Sequence, residues 1–164
     1  MEELKLTNPT LGVLPFPEVV NQFFSFIRED PLASYKIVVG TDSSINNGQT
    51  DFVRAVVIHR EGKGGRYFWN RIVEKKKFVL RERIYREATY SLELAQILTE
   101  QMAVGRLTAP NKPEYDIEIH VDIGTGGPTR AMIAEVVGMI RGSGFTVKTK
   151  PEAYAASNVA DRYT

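Results

Sequence analysis

The spacing of hydrophobic positions changes several times along the chain, and the changes divide it into elements. From Glu18 to Arg28, residues Val19, Val20, Phe23, Phe24 and Ile27 recur at helical spacing, which predicts a short amphipathic helix. Tyr35–Asp42 and Ile117–Asp122 are instead β-branched runs that read as buried strands, and each ends on an aspartate. Between them lie two further strand patterns, Phe52–His59 and Arg66–Val73, linked by Gly62-Lys63-Gly64-Gly65. Ser43–Thr50, with Asn46-Asn47-Gly48, is turn chemistry, so the first three strands form an antiparallel meander.

Arg81–Met102 reads as a long helix, with Ile84, Ala88, Ser91, Ala95, Leu98 and Met102 near one stripe. After Gly124-Thr125-Gly126-Gly127, Pro128 suits the first turn of a helix through Met132, Val136 and Ile140. Gly142 and Gly144 stop it, Phe145–Lys148 reads as a short strand, and Pro151–Tyr163 as a terminal helix. The segment 1–17 carries Pro9, Pro15 and Pro17 without a period and reads as an extended arm. The predicted order is βββαβαβα behind an N-terminal helix: one domain, with arm and helix over 1–34 and a core over 35–164.

A helix-length segment separates the two aspartate-ending runs, as is usual for parallel strands, so Asp42 and Asp122 can sit side by side on one sheet edge. Neighbouring strands lie about 4.8 Å apart, and two carboxylates at that spacing repel unless a cation stands between them. Carboxylates holding a cation point to phosphate chemistry.

Composition narrows the choice of metal. The chain of 164 residues has no cysteine and two histidines, His59 and His120, which excludes disulfides and thiolate sites and argues against zinc. Hydrophobic residues make up 43% and charged residues 25%, as in an ordinary soluble globule, and no run reaches the ~20 apolar residues of a membrane span. The acidic start, Met1-Glu2-Glu3-Leu4-Lys5, lacks the apolar core of a signal peptide, so the expected compartment is the cytoplasm. A net charge of +1 does not mark a nucleic-acid binder, but Lys75, Lys76, Lys77, Arg81, Arg83 and Arg86 form a local basic stripe that can track a phosphate backbone.

Strand order and the placement of acids together resemble the ribonuclease H-like superfamily. Its members place an aspartate on the first strand, here in Gly40-Thr41-Asp42-Ser43, and a glutamate in the first core helix, here in Tyr85-Arg86-Glu87-Ala88. A second aspartate ends the fourth strand, here in His120-Val121-Asp122-Ile123, and a last acid stands in the closing helix, here in Asn158-Val159-Ala160-Asp161-Arg162. More narrowly, Val39-Gly40-Thr41-Asp42-Ser43 and Arg86-Glu87 followed by Ser91-Leu92-Glu93-Leu94-Ala95 resemble the YkuK-like family of bacterial ribonuclease H-like proteins. The resemblance implies an α/β fold with a mixed five-stranded sheet, three antiparallel strands then two parallel, helices on both faces and an extra N-terminal helix. It also implies a metal-dependent nuclease acting on RNA, DNA or a hybrid. Two Mg²⁺ or Mn²⁺ ions would be bridged by Asp42, with Glu87 and Asp122 holding one and Asp161 the other. Some ribonucleases H carry a histidine in the loop before the closing helix; here that loop is Lys148-Thr149-Lys150-Pro151, which offers Lys148 and Lys150 as phosphate contacts instead.

Each candidate has a plainer reading. Glu87 competes with Glu82 and Glu93 and is preferred for its place beside Ala88 and Ser91, early in the helix and on the flank of the apolar stripe; Glu93 points elsewhere. His120 shares strand parity with Asp122, and a lone histidine there is more often a satisfied core side chain than a ligand. Packing is the favoured role for Trp69 and Tyr154. Asp122-Ile123-Gly124-Thr125-Gly126-Gly127 resembles the phosphate loops of actin- and sugar-kinase-type ATPases, but those loops turn within a strand hairpin and need a second domain. A third reading is a nucleic-acid-binding module that kept the acids without turnover.

Overall fold

The centre of the fold is set by a two-residue hairpin. Asn47 and Gly48 both adopt positive φ, 49° and 76°, the backbone that matches the right-handed twist of two flanking antiparallel strands. The computed structural model describes residues 3–124, 126–127, 130–150, 152–153, 159 and 163. Around that turn β3 (Tyr35–Asn46) and β4 (Gln49–Arg60) pair over twelve residues each, from Tyr35↔Arg60 to Asn46↔Gln49. The meander closes with β5 (Gly65–Glu74), antiparallel to β4. The strand of Asp42 therefore does not end on it. Ser43, Ser44, Ile45 and Asn46 remain paired with β4, because the Asn-Gly turn fixes the register from its far end.

Two strands stand where an extended arm was expected. Residues Lys5–Asn8 (β1) and Gly12–Pro15 (β2) form a small hairpin whose outer edge is β2, and β1 docks on β5 through the Thr7↔Trp69 register. Its prolines fall in the turn and at the strand end, where no ladder hydrogen bond is lost. Asn8 holds the turn: its Oδ1 accepts from the backbone N–H of Thr10 and Leu11, each at 2.9 Å, and its Nδ2 donates to the Tyr67 carbonyl at 3.0 Å. Among the described residues the sheet thus has seven strands, not five, in the order β2-β1-β5-β4-β3-β6-β7, where β6 is Asp116–His120 and β7 is Thr146–Lys148. The β3–β6 and β6–β7 pairs are parallel and the rest antiparallel.

Among the described residues, three of the expected helices are present with longer or displaced bounds. The first, α1 (Phe16–Glu29), starts with Pro17 in its first turn, where a missing N–H costs nothing. The second, α2 (Leu80–Thr108), runs six residues beyond Met102. A 3-10 turn at Arg130–Met132 leads into α3 (Ile133–Gly142); Pro128, the expected start, lies outside the described residues. These three helices share one apolar core with one face of the sheet: Phe23 of α1, Leu98 of α2 and Val136 of α3 are all fully buried against Ile37, Val39, Val56 and Ile119. On the opposite face Val38, Val53, Ala55 and Val57 meet Val159 and Tyr163 of the terminal segment, most of which lies outside the described residues. Tyr163 stacks on Trp69 with ring centroids 4.0 Å apart, so Trp69 packs as expected. Tyr154 lies outside the described residues. Among the described residues no helix is long and apolar enough to cross a membrane.

Candidate metal centre

Parallel pairing sets the level of the two aspartates. The β3–β6 ladder runs from Lys36↔Asp116 to Gly40↔His120, so Asp42 and Asp122 each lie two residues past its last pair. Beyond that point β3 continues against β4 alone, while the chain after β6 follows β7: Val121 N–H donates to the Lys148 carbonyl and Lys150 N–H to the Ile123 carbonyl, both at 2.9 Å. The strands part at their carboxyl ends, the place where open α/β sheets form ligand crevices. Both aspartates are half-buried there.

Side-chain alternation then divides the roles of the residues around Asp42. Thr41 and Ser43 point to α2: the Thr41 and Ser91 hydroxyls are 2.7 Å apart, and Ser43 Oγ donates to Glu87 Oε1 at 2.6 Å. Asp42 points to the opposite face with Val38. Glu87 comes up from the second turn of α2 to the level of Ser43 and is only 8% exposed. Burial pushes its pKa up to about 8, and the negative charges of Asp42 and Asp122 push the same way, against the Ser43 hydrogen bond and the Arg83 charge. Glu87, Asp42 and Asp122 thus share one electrostatic environment. Glu93 does not: its carboxylate lies 3.9 Å from Arg54 and is 56% exposed.

The donors at this edge are all hard carboxylate oxygens, the set preferred by Mg²⁺ and Mn²⁺. A carboxyl whose pKa is raised by burial, and further by two neighbouring acids, is a place where a cation can replace a proton. Among the described residues, however, no three acidic or imidazole side chains converge closely enough to enclose a metal by themselves. Asp161, the fourth expected acid, lies outside the described residues. Asp122 Oδ1 is also engaged by Lys150 Nζ at 3.0 Å, which puts an ammonium on one of the acids.

The basic stripe divides on inspection. Lys75, Lys76 and Lys77 are exposed on the β5–α2 connection, which is pinned where Thr50 Oγ1 donates to the Lys76 carbonyl at 2.7 Å. The ammonium of Lys76 sits 5.0 Å from the Phe78 ring centre. Arg81 pairs with Glu135 at 3.4 Å, and Arg86 with Glu74 at 3.0 Å over the face of Phe78. Arg83 turns inward to Ser43. Lys148 is half-buried on β7, level with His120.

His120 is 3% exposed and pairs through Nε2 with Glu118 Oε1 at 2.7 Å, a partner the sequence reading did not assign. Burial lowers the His120 pKa, against the hydrogen bond and charge of Glu118. Its i, i+2 strand spacing from Glu118 was the available signal. The other omissions are Ser43 as the donor to Glu87 and Arg83 as the donor to Ser43. Arg83 and Glu87 stand one helical turn apart, the spacing at which side chains share a site.

Two other features lie outside the acid cluster. After Gly127 the chain enters the 3-10 turn and α3 and not a strand, unlike the phosphate loops of actin-type ATPases. A cavity of about 1080 Å³ is lined by Phe24, Tyr35, Arg106 and Tyr115 at the opposite end of the sheet and touches none of the three acids.

Comparison with known proteins agrees with this architecture. A family model described as "Ribonuclease H-like" matches residues 18–164. The chain is 34% identical over 160 residues to a Bacillus subtilis (strain 168) protein named "Uncharacterized protein YkuK", covering 92% of this chain and 91% of the relative. No solved structure matches. With a mixed sheet, an acid on the strand where antiparallel pairing gives way to parallel, and these two matches, the chain belongs to the ribonuclease H-like family and, within it, to the YkuK-like group.

Proposed function

We propose that this protein is a metal-dependent nuclease that hydrolyses phosphodiester bonds of RNA, DNA or a hybrid. The observation that carries the reading is Glu87: a buried carboxyl pushed to about pH 8 beside two level aspartates. Asp42, Glu87 and Asp122, with Asp161, would hold one or two Mg²⁺ or Mn²⁺ ions. When bound, such ions activate a water and stabilise the leaving oxygen of an in-line displacement. Mg²⁺ keeps several of its own waters and needs only one or two carboxylates, which suits acids that influence one another without closing on one point. The chain's own part is to fix the carboxylates: β3 and β6 set the aspartates level, and α2 delivers Glu87 dry and already hydrogen-bonded. Lys75, Lys76 and Lys77, with Arg81, Arg86, Lys148 and Lys150, are the proposed contacts to the nucleic-acid backbone.

The Lys150–Asp122 pair favours a second reading, a nucleic-acid-binding module whose acids are balanced by lysine. One experiment separates the two. Wild-type protein is incubated with labelled single-stranded, duplex and hybrid oligonucleotides in Mn²⁺ or Mg²⁺, beside Asp42→Asn. Metal-dependent cleavage by the wild type alone is the expected result. Equal cleavage by Asp42→Asn refutes the proposed site, whereas binding without cleavage by the wild type and no Mn²⁺-induced rise in Tm favour the binding module.

A further inference from the structure

Arg83 and Glu87 are four residues apart on α2, a spacing at which arginine and glutamate commonly close on each other. Here Ser43 stands between them. Arg83 donates through Nε to Ser43 Oγ at 3.1 Å and through Nη2 to the Ser43 carbonyl at 2.8 Å, and Ser43 Oγ donates onward to Glu87 Oε1 at 2.6 Å. A serine hydroxyl has one proton. With Arg83 donating to the oxygen, that proton is committed to Glu87 Oε1. The fork also ties the first turns of α2 to β3 at the residue after Asp42, so the two elements that carry Asp42 and Glu87 are fastened together. Oε1 is occupied by the hydroxyl, which leaves Oε2 as the remaining oxygen of Glu87.

We propose that Arg83 is a positioning residue for the Glu87 carboxylate, acting through Ser43, and not a contact to the nucleic-acid backbone. The inference rests on the reading of Glu87 as a metal-site acid. A planar guanidinium can serve the carbonyl and the hydroxyl of one residue at once; an ammonium, as a point charge on a flexible stem, cannot hold the same fork. Residues that orient ligands in this way typically alter metal affinity or activity about 10–100-fold when removed.

The test compares Arg83→Gln, Arg83→Lys, Ser43→Ala and Ser43→Thr by Mn²⁺ calorimetry, by the salt dependence of oligonucleotide binding and by metal-free crystal structures. Arg83→Gln, Arg83→Lys and Ser43→Ala are expected to weaken Mn²⁺ binding about 10–100-fold. Ser43→Thr, which keeps the hydroxyl, is expected to hold the wild-type affinity. The slope of log affinity against log salt should stay unchanged in all four, and Glu87 should leave its present rotamer in the metal-free Arg83→Gln crystal. A retained Glu87 rotamer and Mn²⁺ affinity, with a salt slope reduced by about one, would make Arg83 a phosphate contact and overturn the proposal. Should the wild type take up no Mn²⁺, the nuclease reading falls, and the Glu87 position in the Arg83→Gln crystal still decides the role of Arg83. If Arg83→Gln does not fold, Ser43→Ala reads the same link.

Discussion

Removing the charge from Glu87 should make the metal-free protein more stable, and by an amount that depends on pH. The ordinary glutamate value is 4.5 and the folded protein raises it to about 8. Below pH 4.5 the group is protonated in the folded and unfolded states alike, and its ionisation takes nothing from stability. Above 4.5 the unfolded chain releases the proton while the folded protein keeps it, so stability falls as pH rises, levelling off only past the folded value. Each pH unit in that window is worth ~1.4 kcal/mol, so the loss at pH 7 is about 3 kcal/mol. Glu87→Gln preserves the shape and an oxygen that can accept from Ser43 Oγ but never ionises. In EDTA at pH 7 the variant should be stabilised by about 3 kcal/mol, which for a domain of this size is roughly 6–12 °C in Tm. The advantage should shrink towards zero at pH 4.5 and exceed the pH 7 value at pH 8.5. Added Mn²⁺ should reverse the order, raising the wild-type Tm more than that of the variant. Urea denaturation of both proteins at four pH values in EDTA, repeated with Mn²⁺, measures this directly, because other titrations cancel in the difference. A stability difference that does not change between pH 5 and pH 8.5 would refute the account of Glu87 as an acid held out of its preferred ionisation.

Two further outcomes test other parts of the structure. Lys75→Ala with Lys77→Ala should leave the melting curve unchanged but lower the salt slope of nucleic-acid binding by about 1.8 for duplex or about 1.4 for single strands; an unchanged slope would remove the β5–α2 connection from the interface. Leu98→Ala, at a fully buried position of α2 facing the sheet, should destabilise by about 2–5 kcal/mol in urea, and a loss near zero would mean that α2 is not packed there as described.

What was legible in the sequence follows from how local each signal is. The level of Asp42 and Asp122 came from two β-branched runs and the helix between them, a pattern that needs no tertiary knowledge. The length of β3 was hidden because Ser43, Ser44 and Asn46 look like turn residues; they pair because the Asn47-Gly48 turn and β4 dictate it from outside. The β1–β2 hairpin was hidden for a similar reason. Each strand is four residues long, prolines interrupt the pattern, and the stabilising bond from Asn8 goes to Tyr67, 59 residues away. The place of Glu87 beside the apolar stripe is legible in the sequence, whereas its hydrogen-bond partner, Ser43, sits on another element. Arg83 looked like one more cation in a basic stripe; only the approach of β3 to the first turns of α2 distinguishes it from Lys75. Asp161 and most of the terminal helix lie outside the described residues.

The small hairpin at residues 5–15 has a consequence for solubility. Without it, β5 would end the sheet as a ten-residue edge with open backbone donors and acceptors, carrying Tyr67, Trp69 and Val73. Long edges of that kind template pairing between molecules. By docking β1 at the middle of β5 through Thr7↔Trp69, the chain covers the centre of that edge and places the four residues of β2, which begin at a glycine and end at a proline, outside it. A fragment starting at Phe16 should therefore keep Asp42, Glu87 and Asp122 while opening the middle of β5 to edge-to-edge pairing.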